Sequence, residues 1–555
     1  MPGPLVSGRR EDLTGRVRRA ASHPRAPVSA LVALGLAAAA WHLYLARGMV
    51  VFGDELGWAQ RYRHLGSGML ELWGGWFDPL ARLTYNAVFA TVGLREQWPL
   101  ALMAVGANLA LVAAVYAYCR HLGRPWTGVL IGAALLLMGP AHYSLLWPLN
   151  SLNALGLAAL PACLVLLERG RRREDLWALA LLLVGMGFAG PVVVALCPAL
   201  ALWLLMREGG PTWRLAVPGI PFIVYAIAYL TLPGFTADQS LGTNLRLAPG
   251  HMVESAAASV AGIAGTIDTL TDLRPPAAAG ALLALAVVAL VALWPRLDAA
   301  ARARVTCVAA VAITEWAFIA IARANLGAPA ASRYIILGAL PLLLIAVDLV
   351  RVAPRNAGRA LGVALAMAAG VNAIALSDGA AYLRSVSDQA RAELGGIELT
   401  MDALDSPAPV AGSIPLFYLD VSSWRVARTH LGPTFALDAQ QLAAADAGSR
   451  AIADRMMLTI GALTLVPTPD GDAPRGVCTT TPPAGADQPI APGAVVTIRS
   501  SGAPVSVTPR RFGDAGSPDL AATASPGLPL VARAVPDAGP AWRLAVAGGA
   551  EVCVA

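Results

Sequence analysis

Residues 168–208 read ERGRRREDLWALALLLVGMGFAGPVVVALCPALALWLLMRE. Arg169 and Arg171–Arg173 stand at the front, Arg207 stands at the back, and two apolar runs, 175–190 and 191–206, lie between them. Each run is at the short limit of what carries a helix across the hydrocarbon core of a bilayer. Arginines gather at the cytoplasmic ends of such segments, so this stretch reads as a chain that leaves the cytoplasmic face, crosses, and returns to it. Working outward, similar runs recur at 28–46, 98–118, 126–143, 149–167, 215–232, 277–294, 305–322, 334–350 and 359–376, which makes eleven spans. The composition agrees: 57% of the 555 residues are hydrophobic and 14% are charged, against about a quarter charged in soluble domains. Mean hydropathy is +0.60. A cytosolic, disordered or collagen-like chain is excluded.

The arginines test the register of these spans. With the N-terminus inside, 20 arginines fall on cytoplasmic segments and nine on the longer outer loops, as the positive-inside rule requires. Residues 1–376 carry 29 Arg against 18 Asp and Glu, whereas 377–555 carry 12 against 17. All 41 basic residues are arginine, which we ascribe to coding bias. No basic stripe is interleaved with aromatics, so nucleic acid is not an expected partner. Residues 251–273 are long enough to span, but counting them would move Arg296, Arg302 and Arg304 outside; they are expected as an in-plane or re-entrant element on the outer side. The expected organisation is a basic cytoplasmic N-terminus over 1–27, read as a retained anchor rather than a cleaved leader. An all-α polytopic domain over 28–376 follows, with a large first outer loop at 47–97, and then an extracytoplasmic domain over 377–555.

In that tail, a helix over 380–394 continues the last span, and 442–457 is a second helix with Asp438 near its start. Short apolar runs at 415–419, 462–466, 494–500, 505–509, 530–535, 542–546 and 551–554, set between turn residues, read as strands of a small β-sandwich-like α+β domain. Cys478 and Cys553 are the only cysteines of the tail, and such a pair reads as a disulfide outside the reducing cytosol. Cys119, Cys163, Cys197 and Cys307 lie in apolar runs and read as small buried hydrophobes.

Unusual polar residues collect on the expected outer side. Asp54-Glu55 directly follows the first span. Low-dielectric surroundings and a second carboxylate raise a carboxyl pKa toward the range of a general base; the same pair also fits a solvated loop or an ion pair with Arg61 or Arg63. Trp58, Trp73, Trp76 and Trp98, with Asp78 and Arg82, fit an interfacial belt, juxtamembrane helices or sugar stacking. His142, Asn150 and Asn153 sit at the outer mouth of the fourth span. The asparagines share a helix face and suit either a hydroxyl-rich ligand or interhelical hydrogen bonds. Glu315 lies within a span, which marks a functional suspect. Arg323 and Arg333, next to Tyr334, bracket an outer loop and could neutralise a phosphate, or pair with Glu315. No phosphate-binding loop, dinucleotide fingerprint, zincin helix or serine elbow stands in a convincing context.

Together these features resemble the GT-C superfamily of membrane glycosyltransferases, which take sugars from polyprenyl phosphates and include the protein O-mannosyltransferases. The resemblance covers about 28–376 and rests first on the acidic pair after the first span. The run Phe77-Asp78-Pro79-Leu80-Ala81-Arg82-Leu83 is similar to an Arg-Pro-Leu region of the family, with its Pro and Arg in a different order. The resemblance implies an inverting transfer on the outer face of the plasma membrane, from a polyprenyl-phosphate sugar to a cell-envelope glycan, lipid or protein. Asp54 would be the general base with Glu55 beside it, and Arg323 and Arg333 would hold the donor phosphate. His142, Asn150, Asn153, Glu315 and Tyr334 would line the substrate site. Some relatives use a divalent metal; these residues predict no ligand set. Two alternatives stand beside it, a transporter or flippase of lipid-linked saccharides and a non-catalytic cell-envelope assembly protein.

Overall fold

The computed structural model describes residues 23–235, 241–405, 407–410, 413, 415–482, 484–514 and 520–555. The arginines of the basic N-terminus before residue 23 lie outside the described residues. The chain divides into two compact units: 1–47, 69–81 and 100–381 form one, and 48–68, 82–99 and 382–555 form the other.

The first unit is helical. Over the whole described chain, nine helices are long and apolar enough to cross a membrane, or ten when the bent pair Pro125–Leu136 and Gly139–Leu146, turned by 58°, is counted as one span. The sequence reads eleven. The difference lies at Arg172–Glu208, a single 37-residue element whose Ala189 leaves helical geometry (φ −152°, ψ 64°). A straight helix would separate Asp175 from Glu208 by ~50 Å. Instead both carboxylates pair with Arg214, Asp175 at 2.7 Å. A Cβ on Gly185 would lie 3.1 Å from Val193. The element is a hairpin, and its arms are the expected segments 175–190 and 191–206.

At the hairpin tip, a Cβ on Gly190 would meet the Phe77 carbonyl at 2.2 Å and the Tyr225 ring at 2.7 Å. Gly190→Ala is therefore expected to cost about 1–3 kcal/mol by overpacking and to lower the thermal unfolding midpoint of the purified protein. Gly210→Ala, which has nothing within 4 Å, is expected to leave it unchanged.

One end of this helical unit is sewn together by ions. Arg304 binds Asp348 at 2.6 Å and Glu168 at 3.0 Å. His121 reaches the other oxygen of Glu168 at 2.7 Å. The Tyr118 hydroxyl donates to Asp348 at 3.1 Å, and Arg207 donates to the Glu168 carbonyl at 2.7 Å. Every one of these residues borders a segment that the arginine count assigns to a single side, so the helix register is consistent. The ambiguous stretch belongs to the helix Leu241–Ala264, which is not among the candidate spans. Near its start, Asn244 bonds the Ile321 carbonyl and the Asn325 amide. Just beyond its end, Thr269 donates to the Pro140 carbonyl, and Leu273 accepts from the Ala330 amide at 3.1 Å. Both ends thus meet residues at the end of the unit opposite the ion network.

In the second unit, the helix Arg355–Thr400 that began as the last span runs on into the β-rich tail. Two antiparallel sheets follow. One orders 486–490, 542–547, 505–510 and 522–524; the other orders 463–467, 530–534, 495–500, 550–554 and 477–480. Alternation sets the inner faces: Trp542, Leu544 and Val546 point inward with Val505 and Val507. They pack with Val496, Ile498, Leu530 and Val552, and with Met457 from the helix Ala447–Thr459. Cys478 and Cys553 face each other in register across the edge of the larger sheet and are disulfide-bonded, with Cα atoms 3.9 Å apart. One expected strand is corrected: residues 415–419 form a turn, in which Leu416 and Leu419 both bury inward and no strand pairs beside them among the described residues. The expected helix 442–457 is two helices, Ala439–Ala444 and Ala447–Thr459, each opened by an aspartate cap, Asp438 and Asp446.

Candidate functional site

The acidic pair belongs to the second unit. Gly53 takes φ +57°, a conformation that glycine adopts without strain, and its amide donates to the Pro415 carbonyl at 2.6 Å. This turns the chain into a short helix, Asp54–Ala59. The two acids then take different positions. Glu55 is 1% exposed; it accepts from the Tyr85 hydroxyl and, at 3.4 Å, from the Phe52 amide. Tyr85 is clamped edge-on against Trp58, with ring centroids 5.1 Å apart, and the Arg82 guanidinium lies 5.2 Å over the Trp58 ring. Asp54 stays half-buried at the first position of the helix. Glu55 therefore holds the loop, and Asp54 is the acid that solvent reaches. Arg63 donates to the carbonyls of Gln60 and Tyr62.

The tryptophans are not placed alike. Trp58 and Trp73 are buried, while Trp98 is exposed. In the first unit, Trp73 and Trp76 close a two-residue turn over Gly74 (φ +59°) and Gly75 (φ +84°), the kind of hairpin turn that needs two left-handed residues. Leu72–Trp73 pairs with Gly234–Phe235, and the Tyr225 hydroxyl donates to the Gly75 carbonyl. A Cβ on Gly74 would lie 3.8 Å from Arg323 Nη2, so the Arg323 guanidinium rests on this turn. It is half-buried and makes no ion pair or hydrogen bond among the described residues.

Arg323 and Arg333 both sit far from the ion network. Arg323 is 19 residues beyond Arg304 on one helix and Arg333 is 15 before Asp348 on the next, which is ~28 Å and ~22 Å of rise. The structure joins His142 to this end. Its Nδ1 lies 3.2 Å from Ser332 Oγ, the Ser332 hydroxyl accepts from the Tyr143 amide, and Ser144 donates to the Arg333 carbonyl. The Arg333 guanidinium lies 5.0 Å over the Tyr334 ring. Asn150 and Asn153 are buried, and no hydrogen bond of the Asn150 amide nitrogen is present among the described residues. Glu315 is 3% exposed and does not pair with either arginine; its Oε1 has no hydrogen-bond partner among the described residues.

Asp54 and Glu55 thus fall in one unit, and His142, Asn150, Asn153, Glu315, Arg323, Arg333 and Tyr334 in the other. Among the described residues, the group with metal-ligand spacing is Cys478, Glu551 and Cys553, whose two sulfurs are already bonded to each other. Sequence reasoning missed Tyr85, whose only signal was its place on the same face of the helix Pro79–Val92 as Phe89 and Arg82. It also missed Gln60, which brackets the 415–419 turn. No protein-family model, curated protein or solved structure matches the chain.

Proposed function

We propose that this multi-span membrane protein is a glycosyltransferase that passes a sugar from a polyprenyl-phosphate donor to a cell-envelope acceptor on the outer face of the plasma membrane. The observation that carries the reading is that the two neighbouring carboxylates take different positions: Glu55 is 1% exposed and accepts from the Tyr85 hydroxyl, while Asp54 is half-buried at the first position of the helix Asp54–Ala59. Asp54 accepts the proton of the acceptor hydroxyl as its oxygen attacks the anomeric carbon, and the bond to the lipid phosphate breaks with inversion. Phosphate is a competent leaving group, so positioning and charge stabilisation supply most of the catalysis. Arg323 and Arg333 are assigned the donor phosphate. Arg323 supports this because its guanidinium is anchored yet makes no ion pair among the described residues. The disulfide supports an extracytoplasmic tail.

The test uses the full chain in lipid vesicles with polyprenyl-phosphate hexoses and pentoses labelled in the sugar. Wild-type protein is expected to transfer label to envelope acceptors. Arg333→Ala is expected to raise the donor dissociation constant roughly 10- to 100-fold, the worth of one or two charge-assisted hydrogen bonds. Unchanged donor affinity would remove Arg333 from the site. Movement of intact donor across the bilayer without transfer would favour the flippase reading.

A further inference from the structure

The disulfide of the tail joins two strands of one sheet rather than the two sheets. Cys478 and Cys553 face each other in register between Val477–Thr480 and Ala550–Val554. Side chains alternate along a strand, so Cys553 lies on the opposite face of the sheet from Val552, which packs in the core. Val477–Thr480 is the edge strand of its sheet. All four of its residues are exposed, Val477 to 80%, and none is part of the buried core among the described residues. The bond therefore fastens an edge strand from the outside, away from the packing between the sheets.

Its two sulfurs are placed differently. Cys478 is exposed, whereas Cys553 is 0% exposed and has the Arg499 guanidinium beside it, Nη1 lying 3.2 Å from Sγ. Asp470 holds that guanidinium from its other edge, accepting from Nε at 2.9 Å. Glu551 lies 3.9 Å from Nη1, with its carboxylate within 4.8 Å of the sulfurs. Both carboxylates are open to solvent, at 59% and 49% exposed against 22% for Arg499, so water screens them more than it screens the guanidinium. Thiol–disulfide exchange needs one sulfur that a thiolate can reach and another that leaves readily as a thiolate. Exposure gives Cys478 the first property. An adjacent guanidinium stabilises a thiolate and gives Cys553 the second.

We propose that the Cys478–Cys553 bond is an exchange site for external thiols, opened by attack at Cys478 and releasing Cys553 as a thiolate held by Arg499. A dithiol carries the exchange to completion. Its first thiolate attacks Cys478 Sγ, the bond to Cys553 breaks, and Cys553 keeps the electron pair. The second thiolate of the reagent then attacks its own sulfur in the mixed disulfide, and Cys478 leaves. Two electrons and two protons pass from the dithiol, which becomes a disulfide, to the two cysteines, which become thiols. The edge strand loses its covalent tie while the inner strands keep their pairing.

The test uses the full chain in nanodiscs at neutral pH without denaturant. Wild-type protein is treated with excess glutathione, freed thiols are capped with N-ethylmaleimide, and the adducts are located by peptide mass spectrometry. Glutathione is expected on Cys478 and the maleimide on Cys553. The reverse assignment, or no adduct on the folded chain, overturns the proposal. With dithiothreitol, Arg499→Gln is expected to open roughly tenfold more slowly than wild type; an unchanged rate overturns it as well. After opening, the amides of 477–480 are expected to exchange hydrogen faster while those of 495–500 and 530–534 stay protected. Loss of protection in all three strands would make the bond a staple of the whole sandwich and overturn the exchange site.

Discussion

Asp54→Asn is expected to reduce sugar transfer roughly 10²- to 10⁴-fold, the usual contribution of a positioned general base, an effect on transfer far larger than its effect on thermal unfolding. Asparagine preserves the size of the side chain and its place at the start of a short helix but cannot take up a proton. Glu55→Gln is expected to do the opposite. Both oxygens of Glu55 accept, from the Tyr85 hydroxyl and from the Phe52 amide. A glutamine offers one acceptor and one donor, so one of these buried N–H or O–H groups loses its partner. The cost is about 1–3 kcal/mol, read as a lower unfolding midpoint, with the remaining folded protein still able to transfer. If Glu55→Gln abolishes transfer at full stability while Asp54→Asn keeps it, the roles are reversed.

The second large effect lies in the ion network of the helical unit. Arg304 is 4% exposed and holds Asp348, 1% exposed, together with Glu168. Arg304→Ala leaves Asp348 with the part-exposed Arg351 and Glu168 with His121, a buried cluster short of one positive charge, and is expected to cost about 3–5 kcal/mol, enough to deplete folded protein from the membrane. An Arg304→Met, Asp348→Leu double variant removes both charges and is expected to recover most of that loss, because an apolar pair of similar volume replaces a buried ion pair at little cost. A single-variant cost below about 1 kcal/mol would mean that the network does not hold these helices together.

Much of the helical architecture could be read in advance because lipid imposes one rule on every span: a long apolar run with arginines biased to one end. That rule located both arms of the Arg172–Glu208 hairpin, and the ion pairs of Arg214 and Arg304 fall where the arginine count places them. Six of the strands in the tail were legible for a related reason. Runs such as 505–510 and 542–547 alternate buried and exposed residues. The strand Val477–Thr480 has all four residues exposed and so leaves no such pattern. The helix Val421–Leu431 did carry a signal, an aspartate cap followed by Trp424, Ala427 and Leu431 on one face, which the strand reading of the adjacent residues obscured.

The candidate site was legible in residue type but not in role. Nothing along the chain separates Asp54 from Glu55. Their difference comes from Tyr85, thirty residues away, and from a turn of the C-terminal segment bonded to Gly53. Tryptophans near a membrane surface suggest a belt, yet Trp58 and Trp73 spend their surface on Tyr85 and on a glycine turn. Long-range partners of this kind have no local signature.

The central claim is that the acidic loop faces the extracytoplasmic side while the arginine-rich loop at 169–173 faces the cytoplasm. Single-cysteine labelling tests it directly, because Cys119, Cys163, Cys197 and Cys307 are buried and Cys478 is bonded to Cys553. In intact cells, a membrane-impermeant maleimide is expected to modify Arg61→Cys, an exposed position beside the acidic pair. Arg171→Cys, equally exposed, is expected to react only after the membrane is permeabilised. Labelling of Arg171→Cys but not Arg61→Cys in intact cells would place Asp54 on the cytoplasmic face and contradict the account.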